Sequence, residues 1–475
     1  MATSKLTNAS GIPVATDDTS KTAGPRGPVL MEDYQLFQKM AHFNRERIPE
    51  RVVHAVGAGA YGKFRVTNDL SDLTSAKLFA KNGNECGVFA RFSTVAKSKG
   101  GPDINRDVRG FALKFYTEEG NWDMVGNNTP VFFVRDPYRF MDFIRSQKEH
   151  PQQHWRQDAM WWDFWSHTPE SLHQVMILMS DRGVPKGFRH MNGYGSHAYS
   201  FHDAKGNRVW TKFHFKTEQG IDFLTEDESV RMCGVEPAFS TKDLYAAIED
   251  GNLPRWKMYV QIMTEEEANH FRFNPFDLTK VWPHRDFPLR EVGVLELDRN
   301  PDNYFQDVEQ SAFSPGNVVP GISWSPDKML QARIISYADT HRYRLGVNYE
   351  QIPVNQPRCP FHSTNRDGFM RVDGNKGGQL NYRPNRNGGP RPDPETKEPP
   401  MPVEGTADRH RQDADDHYEQ PGHLYRLQSE EAKQRLVSNI AGSLGQCEPD
   451  TRERQIGLFA KCDGDLGERL RNLMR

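Results

Sequence analysis

Between residues 51 and 297 the chain repeats one pattern: short strand-favouring runs, each closed off by turn residues. The runs fall at 51–56, 87–94, 108–116, 130–134, 197–201, 209–215, 256–263 and 290–297. Interrupted by a Trp-rich helical stretch over 155–181, they predict one large antiparallel sheet or barrel. The 38 glycines and 31 prolines favour such a loop-rich β architecture over a helical bundle, and 28 phenylalanines can fill its core.

The flanks read differently. Residues 1–28 are a polar, extended arm, and helical spacing over 30–44 (Leu30, Tyr34, Phe37, Met40, Ala41) ends near Pro49. Ser325-Pro326-Asp327 is a helix start, with serine as N-cap and proline at the first helical position, for a helix running to about His341. Residues 350–422, rich in Pro, Gly, Asn and Arg, lack periodicity and are expected to wrap a surface or a neighbouring subunit. Helical patterning returns over 424–440 and 450–473. With 475 residues, more than one structural unit is expected. The division is an arm and helix at 1–50, a β-barrel with a helical insertion at 51–300, a wrapping segment with the 326–341 helix at 301–422, and a C-terminal helical domain at 423–475.

Charge and cysteine usage narrow the function. Sixty-one basic residues against 64 acidic ones give no polyanion footprint, which argues against nucleic acid. The five cysteines share no short metal-ligand spacing, as in a reduced cytosolic protein. No run approaches the ~20 apolar residues of a membrane span. The N-terminus lacks the apolar core of a secretory signal, and the C-terminus is not Ser-Lys-Leu. A soluble, cytoplasmic protein is expected.

Gly57-Ala58-Gly59-Ala60-Tyr61-Gly62 matches the dinucleotide pattern G-x-G-x-x-G, which needs a helix directly after it so that its amides face a pyrophosphate. The next residues, Lys63-Phe64-Arg65-Val66-Thr67, alternate like a strand instead, so the glycines read as a bend or close backbone approach in a sheet. The 326–341 helix carries a stronger signal. It places Leu330, Arg333, Ile334, Tyr337 and His341 on one face, and an arginine there is costly to bury unless something anionic meets it. Tyr337 stands one turn on. A nearby guanidinium and a ferric ion both favour a phenolate, so the pair suits an anionic iron ligand, although such pairs usually make ordinary contacts.

The segment Arg333-Ile334-Ile335-Ser336-Tyr337-Ala338-Asp339-Thr340-His341-Arg342-Tyr343-Arg344-Leu345-Gly346 resembles the proximal haem signature of monofunctional catalases, whose iron ligand is tyrosine. Glu50-Arg51-Val52-Val53-His54-Ala55 resembles the family's distal-histidine strand. Ala90-Arg91-Phe92-Ser93-Thr94-Val95, Asp107-Val108-Arg109-Gly110-Phe111-Ala112 through Gly126-Asn127-Asn128-Thr129-Pro130, and His190-Met191-Asn192-Gly193-Tyr194-Gly195-Ser196-His197 extend the likeness over roughly 25–470, as in the small-subunit type. It implies an α+β fold: an eight-stranded antiparallel β-barrel with N-terminal arm, wrapping loop and C-terminal helical domain. It also implies Tyr337 as ligand of a haem iron, with type b expected. His54 then matches the distal acid–base histidine, Asn127 the amide that polarises peroxide, and Ser93 the hydroxyl that bonds the histidine ring. Arg51, Arg91 and Arg344 match the holders of the haem propionates, and Arg333 the partner of the ligand. Phe140 matches the aromatic packed on the porphyrin and Phe132 one lining the distal side, while Val53, Val95 and Asp107 match a narrow substrate channel.

The implied reaction converts hydrogen peroxide to water and dioxygen through an oxyferryl porphyrin-radical intermediate. Catalase-related enzymes of fatty-acid hydroperoxides are the alternative, but they tend to carry threonine where Val53 stands. A haem carrier without activity would have no reason to keep His54, Ser93 and Asn127 together. Some catalases also bind NADPH, and His173, Ser180, Arg182, Lys216, Trp282 and His284 match that site, with Arg182 and Lys216 suited to a 2′-phosphate. Asn192 departs from the aspartate of well-known NADPH-binding relatives. A homotetramer is expected.

Overall fold

The computed structural model describes residues 4–412 and 414–474; the first three residues of the expected arm, Asp413 of the wrapping segment and Arg475 lie outside it. The chain divides into two compact units, Met1–Glu50 and Arg51–Arg475. In the first, a helix at Tyr34–Phe43 is capped by Asp33, whose carboxylate accepts Leu36 N–H at 3.2 Å.

In the second, ten strands are found among the described residues: β1 (Gly57–Val66), β2 (Glu85–Thr94), β3 (Arg109–Thr117), β4 (Gly120–Asn127), β5 (Gly193–Tyr194), β6 (Tyr199–His202), β7 (Arg208–Thr217), β8 (Arg255–Thr264), β9 (Arg290–Arg299) and β10 (Ile322–Trp324). All pairings are antiparallel. Eight strands close a ring in the order β7–β5–β4–β3–β2–β1–β9–β8, with β8 returning to β7. Closure removes the sheet edges. The G-x-G-x-x-G segment is the first half of β1, and a side chain at Gly62 would strike the Glu296 carbonyl of β9.

The barrel interior is an aromatic core. Phe92 meets Phe111 edge-on at 5.2 Å, and Phe115 stacks on Trp122 at 4.4 Å. A second core joins the helices Asp158–Ser166 and Leu172–Met179 to four C-terminal helices, Glu419–Arg426, Glu430–Leu444, Pro449–Cys462 and Gly464–Leu473, through Trp162, Met176, Val437, Ile440 and Phe459.

Some expected elements differ. Residues 51–56 are not a strand: His54 adopts a left-handed backbone (φ 63°), which ends any extended run. Residues 130–134 are irregular although Val131, Phe133 and Val134 are buried; a short apolar run does not by itself distinguish a strand from a packed loop. β4 lacks a counterpart among the expected runs, because its Gly, Asn and Asp residues read as turns. The helix at Lys328–Leu345 is capped by Asp327 rather than Ser325, its carboxylate accepting Met329 N–H at 2.8 Å and Leu330 N–H at 3.2 Å. It runs past His341 to Gly346 (φ 99°). Residues 350–412 and 414–418 are largely irregular, as expected.

The segment leading to that helix is tied to the barrel by a buried ion pair. Lys114 and Asp123 are cross-strand partners of β3 and β4, with Nζ–Oδ1 at 2.8 Å. Asp123 also accepts Ser314 N–H at 2.9 Å and Asn317 Nδ2 at 2.8 Å, pinning the segment that leads to β10 and the helix. Asp123→Ala leaves the Lys114 ammonium buried without its counter-charge and should cost ~3–5 kcal/mol, much of it recovered in the double variant with Lys114→Met. Denaturant midpoints of the single and double variants measure both effects.

Candidate active site

Ser93 and Asn127 lie on the outer face of the barrel along one row of Cα partners. Ser93 of β2 faces Gly110 of β3, Gly110 faces Asn127 of β4, and Asn127 faces Tyr194 of β5. Side chains of paired residues share a face, so Ser93 and Asn127 point the same way. His54 hangs over this row. Its Nδ1 lies 2.8 Å from Ser93 Oγ, and its backbone is held by N–H to Val95 O at 3.0 Å and by Arg91 Nη2 to His54 O at 2.9 Å. Those bonds sustain a left-handed conformation that is uncommon outside glycine. A Cβ at Gly110 would stand 2.7 Å from His54 Nδ1 and collide with Ser93 Oγ, so only glycine leaves the ring its place. Burial, then the charges of Arg91, Arg333 and Arg51, lower the His54 pKa to about 3. The imidazole is therefore neutral at physiological pH.

Arg333 connects this pocket to Tyr337. Its Nη2 donates to Tyr337 Oη at 2.8 Å and to Val125 O of β4 at 2.9 Å, and its Nη1 lies 2.7 Å from His197 Nε2. His197 Nδ1 lies 2.6 Å from Asp327 Oδ2, the carboxylate that caps the helix. Asp327, His197, Arg333 and Tyr337 thus form one polar chain, buried at Asp327 and His197 and half-buried at Arg333 and Tyr337. Burial alone would lower the Arg333 pKa, but Tyr337, Tyr199 and Asp327 prevail and raise it. Tyr337 packs on an apolar floor of Phe89, Val125, Val308 and Phe313.

Three guanidinium groups converge beside the pocket. Arg51 donates to the carbonyls of Val308, Glu309 and Ser311, and Arg344 to Glu309 Oε1 at 3.1 Å. Burial, then Arg91 and Arg344, push the Arg51 pKa well down; burial lowers those of Arg91 and Arg344 as well. Arg51 Nη1 and Arg91 Nε are buried without hydrogen-bond partners, with Glu309 Oε1 4.0 Å from the former. This cationic surplus fits an arriving dianion, and with the Tyr337 oxygen it fits the propionates and iron of haem.

Val53, Phe132 and Phe140 join the second hydrophobic core as half-buried members, and Phe132 stacks on Phe140 at 6.1 Å. Asp107 Oδ2 accepts Val95 and Ala96 N–H at 2.9 and 2.8 Å. Ala96 and Asp107 also line a cavity of about 700 Å³ with Gln147, Arg156 and Arg435.

Of the residues expected to hold NADPH, Arg182 and Lys216 come together, each 3.2 Å from Tyr194 Oη. The His284 ring lies 5.7 Å from His214, Tyr194's cross-strand partner. His173 and Trp282 are almost wholly buried, and Ser180 donates to Ile177 O at 2.7 Å. Sequence reasoning left Glu309, Tyr194 and the His197–Asp327 pair without a role. His197 and Asp327 belong to segments singled out for other reasons, but nothing in local spacing joins positions so far apart.

The catalase family model matches residues 7–389, and a model described as catalase-related immune-responsive matches 411–474. Catalase A of Pseudomonas putida is 54% identical over 466 residues, covering 98% of this chain and 97% of that protein. The catalase of Staphylococcus warneri is 54% identical over 474 residues, covering 98% and 93%. Catalase A from Saccharomyces cerevisiae superposes with a TM-score of 0.95 at 42% identity, covering 99% of each chain. A bacterial catalase structure superposes at 0.93 with 44% identity, covering 100% of this chain and 96% of that one.

Burial of histidines sets the acid stability. The pKa values of His54, His173 and His341 are lowered by burial from 6.5 to about 3, about 4 and about 4. Below the ordinary value, unfolding takes up protons that the folded chain does not bind. Stability is therefore undiminished above 6.5 and falls as pH drops toward 4, by roughly 1.4 kcal/mol per histidine per pH unit. Denaturant midpoints at about pH 7 and about pH 5 check this; equal midpoints would refute it.

Proposed function

The chain belongs to the catalase family and disproportionates hydrogen peroxide to water and dioxygen, and on that premise we propose that Tyr337 is the iron ligand of a type b haem with His54 opposite. The observation that carries the proposal is the polar chain from Asp327 that ends on Tyr337 Oη, where Arg333 donates at 2.8 Å. A guanidinium in that position can hold an anionic ligand oxygen by a charge-assisted hydrogen bond.

Haem, when bound, supplies the iron redox chemistry that reduces one peroxide and oxidises a second. Arg51, Arg91 and Arg344 bind its propionates, and Phe132 and Phe140 offer it apolar surface. Ser93 orients the His54 ring through Nδ1 and leaves Nε2 for proton exchange. His54 Nε2 takes a proton from one peroxide oxygen and returns it to the other as water departs. Asn127 donates an amide N–H to the peroxide without adding a charge that would compete for the proton. Val53, Val95 and Asp107 define a narrow approach.

Arg182 and Lys216 form the anion site of an NADPH groove, with His173, Ser180, Trp282 and His284 around it. The chain acts as a homotetramer in the cytoplasm. The exposed Phe37, Phe43, Phe369 and Val372, on the N-terminal unit and the wrapping segment, favour assembly.

His54→Ala should lower oxygen release by ~10²–10⁴-fold while haem absorption persists. Near-normal turnover would remove His54 from the proposed role. Tyr337→Phe removes the anionic ligand and should change the ferric spectrum with little change in the far-ultraviolet circular dichroism; an unaltered spectrum would reject Tyr337 as ligand.

A further inference from the structure

Tyr194 stands in the same cross-strand row as Ser93 and Asn127 but has no place in peroxide chemistry. Its phenol is buried, and three nitrogen donors meet one oxygen: Arg182 Nη2 at 3.2 Å, Lys216 Nζ at 3.2 Å and Asn192 Nδ2 at 3.3 Å. Asn192 presents its NH₂ because its Oδ1 already accepts Thr217 N–H at 3.0 Å. A neutral phenol has a proton of its own to donate, whereas a phenolate can accept from all three. Both cations also flank the ring, at 4.8 Å for Lys216 and 5.9 Å for Arg182.

Among the described residues neither Arg182 nor Lys216 forms an ion pair with a carboxylate. His173 lies close enough to Arg182 to feel its charge and Lys257 of β8 is the cross-strand partner of Lys216; facing the Tyr194 ring are His214, edge-on at 5.4 Å, and His284 beyond it. Burial, then Lys216, lowers the pKa of His214 and of His284. Burial alone would raise the Tyr194 pKa, but Arg182 and Lys216 prevail and bring it down to about 8.

We propose that the Tyr194 phenolate is a built-in competitor for the anion site at Arg182 and Lys216, so that a phosphate-bearing nucleotide binds there with uptake of one proton on Tyr194 Oη. This rests on the reading of the groove as a nucleotide site. The exchange balances: solvent supplies the proton, the phenolate becomes a phenol, and the two cations pass to the phosphate. Nucleotide affinity then weakens as rising pH ionises the phenol. The 2′-phosphate does not account for such a trend, because its own second ionisation, near ~6, is complete below this range.

The test is calorimetry of NADPH binding to nucleotide-free holoenzyme at about pH 7 and about pH 9, in buffers of different ionisation heat. At the alkaline end wild type should take up close to one proton per nucleotide, with affinity falling about tenfold per pH unit. Tyr194→Phe should bind without that uptake and with a flat profile. Its ultraviolet difference spectrum should also lack the tyrosinate signal that wild type develops over this range. NADPH binding to wild type without proton uptake overturns the proposal, as does an unchanged pH slope in Tyr194→Phe. Failure of NADPH to bind wild type even at neutral pH overturns instead the nucleotide reading on which the proposal rests.

Discussion

A guanidinium that cannot be buried alone organises the centre of this molecule. Arg333 meets a phenol on its own helix, a carbonyl of β4 and an imidazole that is in turn held by the carboxylate capping that helix. Each contact satisfies a donor that would otherwise cost several kcal/mol in an apolar setting. Together they fix the helix's rotation and depth against the barrel, and so where Tyr337 stands. The cap is shared: Asp327 both starts the helix and ends the polar chain.

The opposite side of the pocket is controlled by sterics. A row of Cα partners crosses β2, β3 and β4, and its middle member must be glycine for the His54 ring to lie against Ser93. The strained His54 backbone is tolerated because two bonds hold it, one to the Val95 carbonyl just past β2 and one from the Arg91 side chain within it. A closed barrel suits this task. With every strand of the ring paired on both sides, the row moves little relative to the residues suspended over it.

Buried cations mark how the chain divides structure from function. Lys114 is matched by Asp123, and the pair serves packing. Arg51, Arg91 and Arg344 outnumber Glu309, and Arg51 Nη1 and Arg91 Nε lack hydrogen-bond partners, an arrangement unlike a matched structural ion pair. Arg182 and Lys216 fall between these cases, sharing one phenol that can change its charge.

Most of the barrel strands and the helix carrying Arg333 and Tyr337 were legible from patterning, because alternation and end signals are local. β4 was not, since its Asp123 becomes strand-compatible only when Lys114 comes opposite. The expected strand at 51–56 failed for a related reason: the left-handed turn at His54 is held by Arg91 and Val95, remote from it in the chain. Local spacing alone made Arg333–Tyr337 only a weak candidate for a ligand site, and the dispersed motifs with His54, Ser93 and Asn127 supplied its weight. By itself, then, the amino-acid sequence determined the β-rich class, the family likeness and the candidate residues, all of which depend on residue type and near-neighbour spacing. Only the tertiary structure decided the His197–Asp327 support of Arg333, the surplus charge at Arg51, Arg91 and Arg344, and the three donors on Tyr194. Those depend on distances between residues remote in the chain, and burial then makes the distances matter by excluding the water that would weaken each charge.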